Sequence, residues 1–210
     1  MNRPAPVGTC YRWLAGGLDE LLVVVADGLV TRIGWRCLGA APPAGAWESE
    51  DLVPGLARRL VESLSGIDHD YQDVPLPEGT PFQRDCWART RGIPAGTTLT
   101  YGELASELGR PGAARAAGQA LRANPLPLVV PCHRVVRTAG GTGGFCGAAG
   151  ADDPAVLVKS RLLAREHQLS SGTSKRAKST GSRRHARSTK AYNPQLTPRG
   201  AAARSRARCD

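Results

Sequence analysis

Residues 124–136 read NPLPLVVPCHRVV and set one Cys-His pair inside an apolar, proline-punctuated stretch. The pair is bracketed by two apolar, β-branched runs that favour extended structure, Leu128–Pro131 and Val135–Arg137. Successive side chains of a strand point to opposite faces, so His133 can serve Cys132 only if the chain turns here or a water bridges them. Pro131 favours such a turn.

The Cys132-His133 pair is a candidate nucleophile and base. A thiolate is the nucleophilic form of cysteine, and a nearby His or Arg lowers the pKa of the thiol. Both residue types follow Cys132 directly, as His133 and Arg134. The dipeptide alone leaves the alternative open, a buried structural cysteine beside a surface histidine.

Two capping boxes start the helices that precede this stretch. Thr80-Pro81-Phe82-Gln83 predicts a helix to about Arg91, and Thr100-Tyr101-Gly102-Glu103 predicts a short helix that ends at Gly109. A third helix is predicted over Ala113–Ala123. Two short helices joined by a few residues are typical of a helix-turn-helix.

The second helix of this pair has an unusually small face, formed by Ala113, Ala114, Ala117 and Gly118. Arg115 projects from the same helix. Small side chains let a helix approach a nucleic-acid groove closely, and an arginine among them can reach into it. An alanine-rich packing helix with a solvent-exposed arginine is the alternative that the pattern leaves open.

The first third of the chain predicts a small α/β unit. Leu21–Ala26 and Leu29–Trp35 are β-rich runs separated by Asp27-Gly28, a strong hairpin signal. A helix follows from the spacing of Leu56, Leu60, Val61 and Leu64. Residues 1–65 are therefore assigned to an N-terminal domain, 66–79 to a polar linker and 80–167 to a second domain.

The composition is that of a globular protein: 210 residues, 41% hydrophobic and 22% charged. No apolar run approaches the roughly 18 residues of a transmembrane helix. The first residues lack the apolar core of a signal peptide, so we expect a cytoplasmic protein, associated with the nucleoid when it binds DNA. Six cysteines without a C-x-x-C pair are expected to be mostly free thiols.

The net charge of +10 belongs to the end of the chain. Residues 1–166 hold 17 basic and 17 acidic residues, whereas the rest hold 11 basic residues and one Asp. We expect 168–210 to be a disordered basic tail, because it has few large apolar side chains. A phosphate-binding arm and a solvated tail without a role both remain open.

The longer pattern resembles the O6-alkylguanine-DNA alkyltransferases, also called methylated-DNA–protein-cysteine methyltransferases. The resemblance covers about residues 75–167, and its motifs are 80–83, Trp87, 93–97, 101–105, 109–111, 114–120 and 124–136, with Lys159, Leu162-Leu163 and Glu166 in the last helix. It implies a mixed α/β fold: a small ribonuclease-H-like N-terminal domain and a mostly helical, winged-helix-like second domain.

The resemblance implies a DNA repair protein that flips a damaged nucleotide out of the duplex and takes an alkyl group from O6 of guanine, or more slowly O4 of thymine. Cys132 would attack the alkyl carbon, and His133 would take the thiol proton through a water. Glu166 would stabilise the imidazolium. Tyr101 would press on the lesion's 3′ phosphate and donate to the leaving base, and Asn124 would tie the recognition helix to the active-site strand.

The resemblance also implies how DNA is bound. Arg115 would fill the gap left by the flipped base, and Ala114, Ala117 and Gly118 would form the helix surface in the minor groove. The substrate pocket would include Pro127, Val135, Phe145 and Cys146. A thioether on Cys132 cannot be hydrolysed, so each molecule, expected to be a monomer, would act once on double-stranded DNA without metal or organic cofactor and without a membrane.

Three features depart from the family pattern. Phe145 stands where a Tyr is usual, Cys146 adds a second thiol, and Lys159 arrives about seven residues late. The two inserted carboxylates either face DNA or cap the last helix, and the Asp153-Pro154 pair favours the cap. A disulfide between Cys132 and Cys146 under oxidation is a further hypothesis.

The sequence leaves four other interpretations to weigh. A structural zinc on Cys10, Cys37 and His69 is not expected, because the spacing is loose and a fourth ligand is missing. A lesion-binding module without alkyl transfer would lack Cys132. A Cys-His hydrolase would need an oxyanion hole and turnover, and a helix-turn-helix regulator would need sequence-specific major-groove contacts.

Overall fold

The computed structural model describes residues 8–138, 141–146, 152–174 and 190–191. Four strands near the N-terminus form one sheet: β1 (Thr9–Ala15), β2 (Glu20–Ala26), β3 (Leu29–Trp35) and β4 (Trp47–Glu48). The strand order is β3-β2-β1-β4, antiparallel except that β4 runs parallel to β1. A short 3₁₀ turn, Arg36–Leu38, follows β3.

The predicted hairpin and helix of this unit are confirmed. Asp27 and Gly28 both have positive φ, 50° and 77°, as a two-residue hairpin turn of the primed type requires. Helix α1 (Pro54–Leu64) buries Leu56, Leu60 and Leu64 in the core that it shares with the sheet. The residues with helical spacing are therefore the ones that form its apolar face, apart from Val61, which is only half-buried.

Segment 66–79 is not a free spacer, contrary to the predicted linker. Tyr71 and Val74 are buried in the core, and both of their carbonyls accept from Arg91. A bidentate ion pair also ties Asp73 to Arg59 in α1. The polar composition of the segment did not indicate these contacts, which it makes with arginines of the two helices that flank it.

The second unit begins with α2 (Pro81–Arg91), β5 (Thr97–Thr100), α3 (Tyr101–Glu107) and α4 (Ala114–Arg122). Both predicted capping boxes are present, on Thr80 with Gln83 and on Thr100 with Glu103. The helix pair α3 and α4 lies where the helix-turn-helix was predicted. The indole Nε1 of Trp87 donates to the carbonyl of Ala120 at 2.9 Å and so fixes α2 against α4.

The remaining elements are a 3₁₀ turn (Cys132–Arg134), β6 (Val135–Val136), α5 (Pro154–Ser174) and β7 (Lys190–Ala191). Strand β5 lies between β6, which is parallel to it, and β7, which is antiparallel. The extended structure expected over residues 128–131 is absent: they form no named strand, and Leu128 has a φ of 74°. Proline on both sides removes backbone donors from this run.

The last helix is longer than expected. It was predicted to end at about residue 167, but α5 continues to Ser174, and β7 uses residues 190–191. Both stretches fall inside the predicted disordered tail, whose other residues, 175–189 and 192–210, lie outside the described part of the chain. Within the described ranges, no helix combines the length and apolar character needed to span a membrane.

The two units pack directly against each other. The backbone N–H of Ile33 in β3 donates to the carbonyl of Pro125, 2.8 Å away, just after α4. Arg165 of α5 donates to the carbonyls of Leu64 and Gly17. The N-terminal sheet therefore supports the segment that carries the Cys-His pair.

Candidate active site

Cys132 lies in the 3₁₀ turn Cys132–Arg134 and not on a strand. The chain therefore turns at Cys132, as it must if His133 is to serve this cysteine, because neighbouring side chains in a turn need not point to opposite faces. Cys132 is buried but lines a cavity of about 480 Å³. The other residues that line it are Tyr101, Gly102, Ala114, Arg115, Gly118, Gln119, Leu121, Arg122, Arg137, Thr138, Gly144, Phe145 and Cys146.

Asn124 holds the segment between α4 and Cys132. Its side-chain Nδ2 donates to the carbonyl of Val130 at 2.9 Å and to Sγ of Cys132 at 3.4 Å, and its Oδ1 accepts from the N–H of Leu126. Burial raises the pKa of the Cys132 thiol, while the Asn124 hydrogen bond and the charge of Lys159 oppose that rise. At rest the cysteine is therefore a thiol that needs a base.

His133, the predicted base, is itself buried and paired. Its Nε2 lies 2.9 Å from Oε1 of Glu166, 33 residues away on α5. Its Nδ1 is buried and has no hydrogen-bond partner among the described residues. Burial lowers the pKa of His133 although Glu166 opposes this, so the imidazole is neutral at neutral pH. The structure thus brings three predicted residues, Cys132, His133 and Glu166, to one place.

Arg134 completes the cluster, although the sequence indicated it only as a charge beside Cys132 and not as a partner of Glu166. Its guanidinium contacts both carboxylate oxygens of Glu166, at 2.8 to 3.2 Å, and the carbonyl of Ile93 at 2.6 Å. Its Nη2 also lies 3.0 Å from Oδ1 of Asp68. Burial would raise the pKa of Glu166, but His133 and Arg134 lower it to about 2. Since His133 is neutral, Arg134 is the permanent charge that keeps Glu166 ionised.

Tyr101 and Lys159 shape the opposite wall. The Tyr101 hydroxyl donates weakly to the carbonyl of Gly144 at 3.5 Å, and burial raises the pKa of Tyr101 to about 12. Lys159 Nζ donates to the carbonyls of Val135, at 2.6 Å, and Gly144, at 3.3 Å, and lies 5.7 Å from the centre of the Tyr101 ring. Burial lowers the pKa of Lys159 to about 8. The late position of Lys159 therefore does not keep it from the site.

Helix α4 contributes Ala114, Arg115 and Gly118 to the lining of the cavity. The Arg115 side chain is exposed. Ala117 is a correction: it is fully buried in the core and offers no surface to DNA. The reason is helical geometry, since residues 117, 120 and 121 share the face that packs inward.

The predicted pocket residues divide into two groups. Phe145 and Cys146 line the cavity, with Phe145 packed edge-to-face on Trp35 of β3 at a ring distance of 6.4 Å. Pro127 and Val135 are buried and are not among the residues that line it.

Cys146 is a second free thiol in the cavity, at a positive φ of 46°. Burial of the thiol raises its pKa to about 12, so its thiolate is scarce at neutral pH. A disulfide with Cys132 stays a prediction, which counting thiols with and without a reductant tests.

Of the two inserted carboxylates, Asp152 and Asp153, the second follows the cap interpretation. Asp153 Oδ1 accepts from the N–H of Ala155, 2.9 Å away, at the start of α5. For metals, the described residues hold no group of three or more His, Cys, Asp or Glu side chains placed to bind an ion. His69 Nε2 lies 2.7 Å from Oε2 of Glu62.

Comparison with known proteins identifies similar sequences and folds. The family model "6-O-methylguanine DNA methyltransferase, DNA binding domain" matches residues 81–168. A methylated-DNA–protein-cysteine methyltransferase of Shigella flexneri is 47% identical over 130 residues, 61% of this chain and 70% of the relative. One of Mycolicibacterium paratuberculosis is 44% identical over 165 residues, 78% of this chain and 96% of the relative.

Solved structures agree with the sequence matches. The crystal structure of Mycobacterium tuberculosis O6-methylguanine methyltransferase superposes with a TM-score of 0.65 at 28% identity, over 76% of this chain and 93% of that one. The Mycobacterium tuberculosis OGT in complex with DNA gives a TM-score of 0.64 at 28% identity, over 75% and 92% of the two chains.

Proposed function

Because this chain belongs to the methylated-DNA–protein-cysteine methyltransferase family, we propose that Cys132 is the cysteine that accepts the alkyl group. The chain is a DNA-binding transferase that repairs DNA by alkyl transfer to a cysteine. One observation carries the assignment to Cys132: its thiol lines the cavity beside α4, next to the buried His133–Glu166 pair.

In the proposed reaction, His133 takes the thiol proton of Cys132 through a bridging water. The unpaired Nδ1 of His133 supports this, since a buried ring nitrogen needs a partner that such a water would supply. Glu166, held ionised by Arg134, stabilises the imidazolium that forms. The proton thus stays on His133 while the thiolate of Cys132 reacts.

The thiolate then attacks the alkyl carbon in line with the bond to O6 of a flipped guanine. The new C–S bond forms as the C–O bond breaks, and the guanine leaves with the electron pair. We assign Tyr101 as the donor to N3 of the leaving base, which offsets the developing negative charge. The backbone N–H near Cys146 faces O6 in this proposal. The backbone carbonyls of Cys132 and Val135 accept from the exocyclic amine of the guanine. The Val135 carbonyl already accepts from Lys159, and a carbonyl oxygen can accept two hydrogen bonds.

The product is a thioether on Cys132, which has no carbonyl or ester for water to attack. Each molecule is therefore consumed by one transfer, and the reaction needs no cofactor. We propose O6-alkylguanine in double-stranded DNA as the substrate, with O4-alkylthymine slower, and a monomer in the cytoplasm, bound to the nucleoid through DNA.

For DNA binding, α4 is proposed to enter the minor groove with Arg115 in the gap left by the flipped nucleotide. The exposed Arg115 and the small cavity-lining residues Ala114 and Gly118 support this. Ala117 has no part in it.

We also propose the finer description of the fold. The sheet of order β3-β2-β1-β4 is assigned as ribonuclease-H-like, and the second unit is assigned as winged-helix-like.

The mass of the protein after incubation with a duplex that contains O6-methylguanine tests the proposal. We expect a gain of one methyl group per molecule, mapped to the peptide that holds Cys132, and then a plateau. Cys132→Ala should bind the duplex without gaining mass. Transfer that continues beyond one group per molecule would support the Cys-His hydrolase, and binding without any transfer by the wild type would support the lesion-binding module.

A further inference from the structure

Arg134 is held between two carboxylates that come from distant parts of the chain. Glu166 approaches it from α5, and Asp68 approaches it from segment 66–79, with Nη2 lying 2.8 Å from Oε1 of Glu166 and 3.0 Å from Oδ1 of Asp68. The other oxygen of Asp68, Oδ2, accepts from the backbone N–H of Ala95 at 2.9 Å. Both oxygens of Asp68 are therefore engaged, which fixes its carboxylate against Arg134.

The charges of this cluster are balanced for a protonated His133. An arginine guanidinium carries a positive charge in proteins. With His133 neutral, Arg134, Glu166 and Asp68 together carry one net negative charge. A proton on His133 makes the cluster neutral. Without Asp68, Arg134 would cancel Glu166, and the same proton would leave a net positive charge in a buried site, which is costly.

We propose that Asp68 is a positioning residue of the active site. It pairs with Arg134 on the side away from His133 and offsets part of the arginine's charge, so that the negative charge of Glu166 stabilises a proton on His133. The inference rests on the proposed function, in which His133 is the base for Cys132. Asp68 is never in contact with the substrate; it acts through Arg134.

Other charged and titratable groups face the cluster. Lys159 on α5 and the thiol of Cys132 lie near His133, and Tyr71 lies near both Arg134 and Asp68. Lys159 acts against a proton on His133, which makes the negative charge of Asp68 more important. The Asp68 side chain is 44% exposed, so solvent screens part of its effect.

Asp68→Asn tests the inference, with Asp73→Asn as the matched control. Asp73 lies in the same segment and pairs with Arg59 at 2.6 Å, away from the active site. The readout is the first-order rate of alkyl transfer from an O6-methylguanine duplex, measured across neutral and alkaline pH. We expect Asp68→Asn to be roughly three- to tenfold slower at neutral pH, equivalent to half to one pKa unit, and to approach the wild type at alkaline pH, where the thiol ionises without His133.

Asp73→Asn should follow the wild-type profile. A wild-type profile for Asp68→Asn, or a loss by the same factor at every pH, overturns the inference, because a purely structural role predicts a uniform loss. Asp68→Glu keeps the charge and should keep the wild-type pH dependence even where it lowers thermal stability; a profile like that of Asp68→Asn also overturns it. If the wild type transfers no alkyl group, the proposed function fails instead.

Discussion

The reactivity of Cys132 is set by a few neighbours. Asn124 donates to its sulfur, and His133 stands ready with a neutral, buried imidazole. Burial opposes the thiolate, so the ion pair with His133 has to be stabilised from elsewhere in the site. Glu166 provides that stabilisation because Arg134 keeps it ionised.

Glu166→Gln tests this dependence on charge. The amide keeps a hydrogen-bonding side chain of the same size but removes the negative charge from His133. We expect single-turnover alkyl transfer at neutral pH to slow by about 100-fold, the lower end of what general-base catalysis contributes. Glu62→Gln is the matched control, since Glu62 forms a partly exposed pair with His69 in the N-terminal unit. Equal rates for wild type and Glu166→Gln would remove Glu166 from the mechanism.

At the scale of the element, one face of α4 packs into the core and another faces the cavity. Ala117, Ala120 and Leu121 pack into the core, while Arg115 is exposed at the cavity. The 3₁₀ turn after α4 is the second decisive element, because it lets Cys132 face the cavity while His133 reaches α5. Asn124 joins the two elements through Val130 and Cys132.

Arg115→Ala should separate flipping from chemistry. The loss of the side chain that fills the vacated stack is expected to slow transfer from duplex DNA by roughly 10- to 100-fold, since unstacking a base costs a few kcal/mol. Transfer from the free alkylated base needs no flipping and should change much less. Comparing the two substrates with the same variant checks this. Equal losses on both substrates would contradict the role given to Arg115.

At the scale of the whole molecule, the N-terminal sheet supports the active site. Trp35 of β3 is buried and packs against Phe145 of the cavity wall. The N–H of Ile33 binds the carbonyl of Pro125, next to the Asn124 that holds Cys132. The sheet is thus part of the framework around the nucleophile although it contributes no residue to the lining of the cavity.

Trp35→Ala should therefore affect both stability and reaction. Removing a buried indole costs about 3–5 kcal/mol of unfolding free energy, and the loss of the Phe145 contact should slow transfer as well. Denaturant unfolding and single-turnover kinetics measure the two effects. Trp35→Phe retains a ring, and because the indole nitrogen has no partner among the described residues, it should lose much less stability than Trp35→Ala. Unchanged transfer in Trp35→Ala would show that the contact has no bearing on the site.

The low pKa of Glu166 also predicts how stability depends on pH. Its pKa is about 2 in the folded chain against 4.5 for an ordinary glutamate. Between these values the unfolded chain binds a proton that the folded chain does not, so the free energy of unfolding falls as pH falls from 4.5 towards 2. Thermal denaturation of wild type and Glu166→Gln should give a stability difference that is full above this window and shrinks within it. A constant difference would contradict the low pKa.

The sequence by itself determined the local elements and indicated Cys132 as the candidate nucleophile. Capping boxes at Thr80 and Thr100 and the turn at Asp27-Gly28 depend on hydrogen bonds and backbone angles within a few residues, so they can be predicted from the chain alone. The pairing of Glu166 with His133 was predicted only through the family resemblance, because 33 residues separate them.

Only the tertiary structure decided which charges meet and which faces are buried. Nothing local relates Asp68 to Arg134, 66 residues away, or indicates that Lys159 reaches the carbonyl of Gly144. Ala117 looked like part of a DNA surface because an alanine fits both a groove and a core. Its burial follows from how α4 packs. Local hydrogen bonds act over one turn of chain, whereas electrostatic pairing and burial depend on the path of the whole chain.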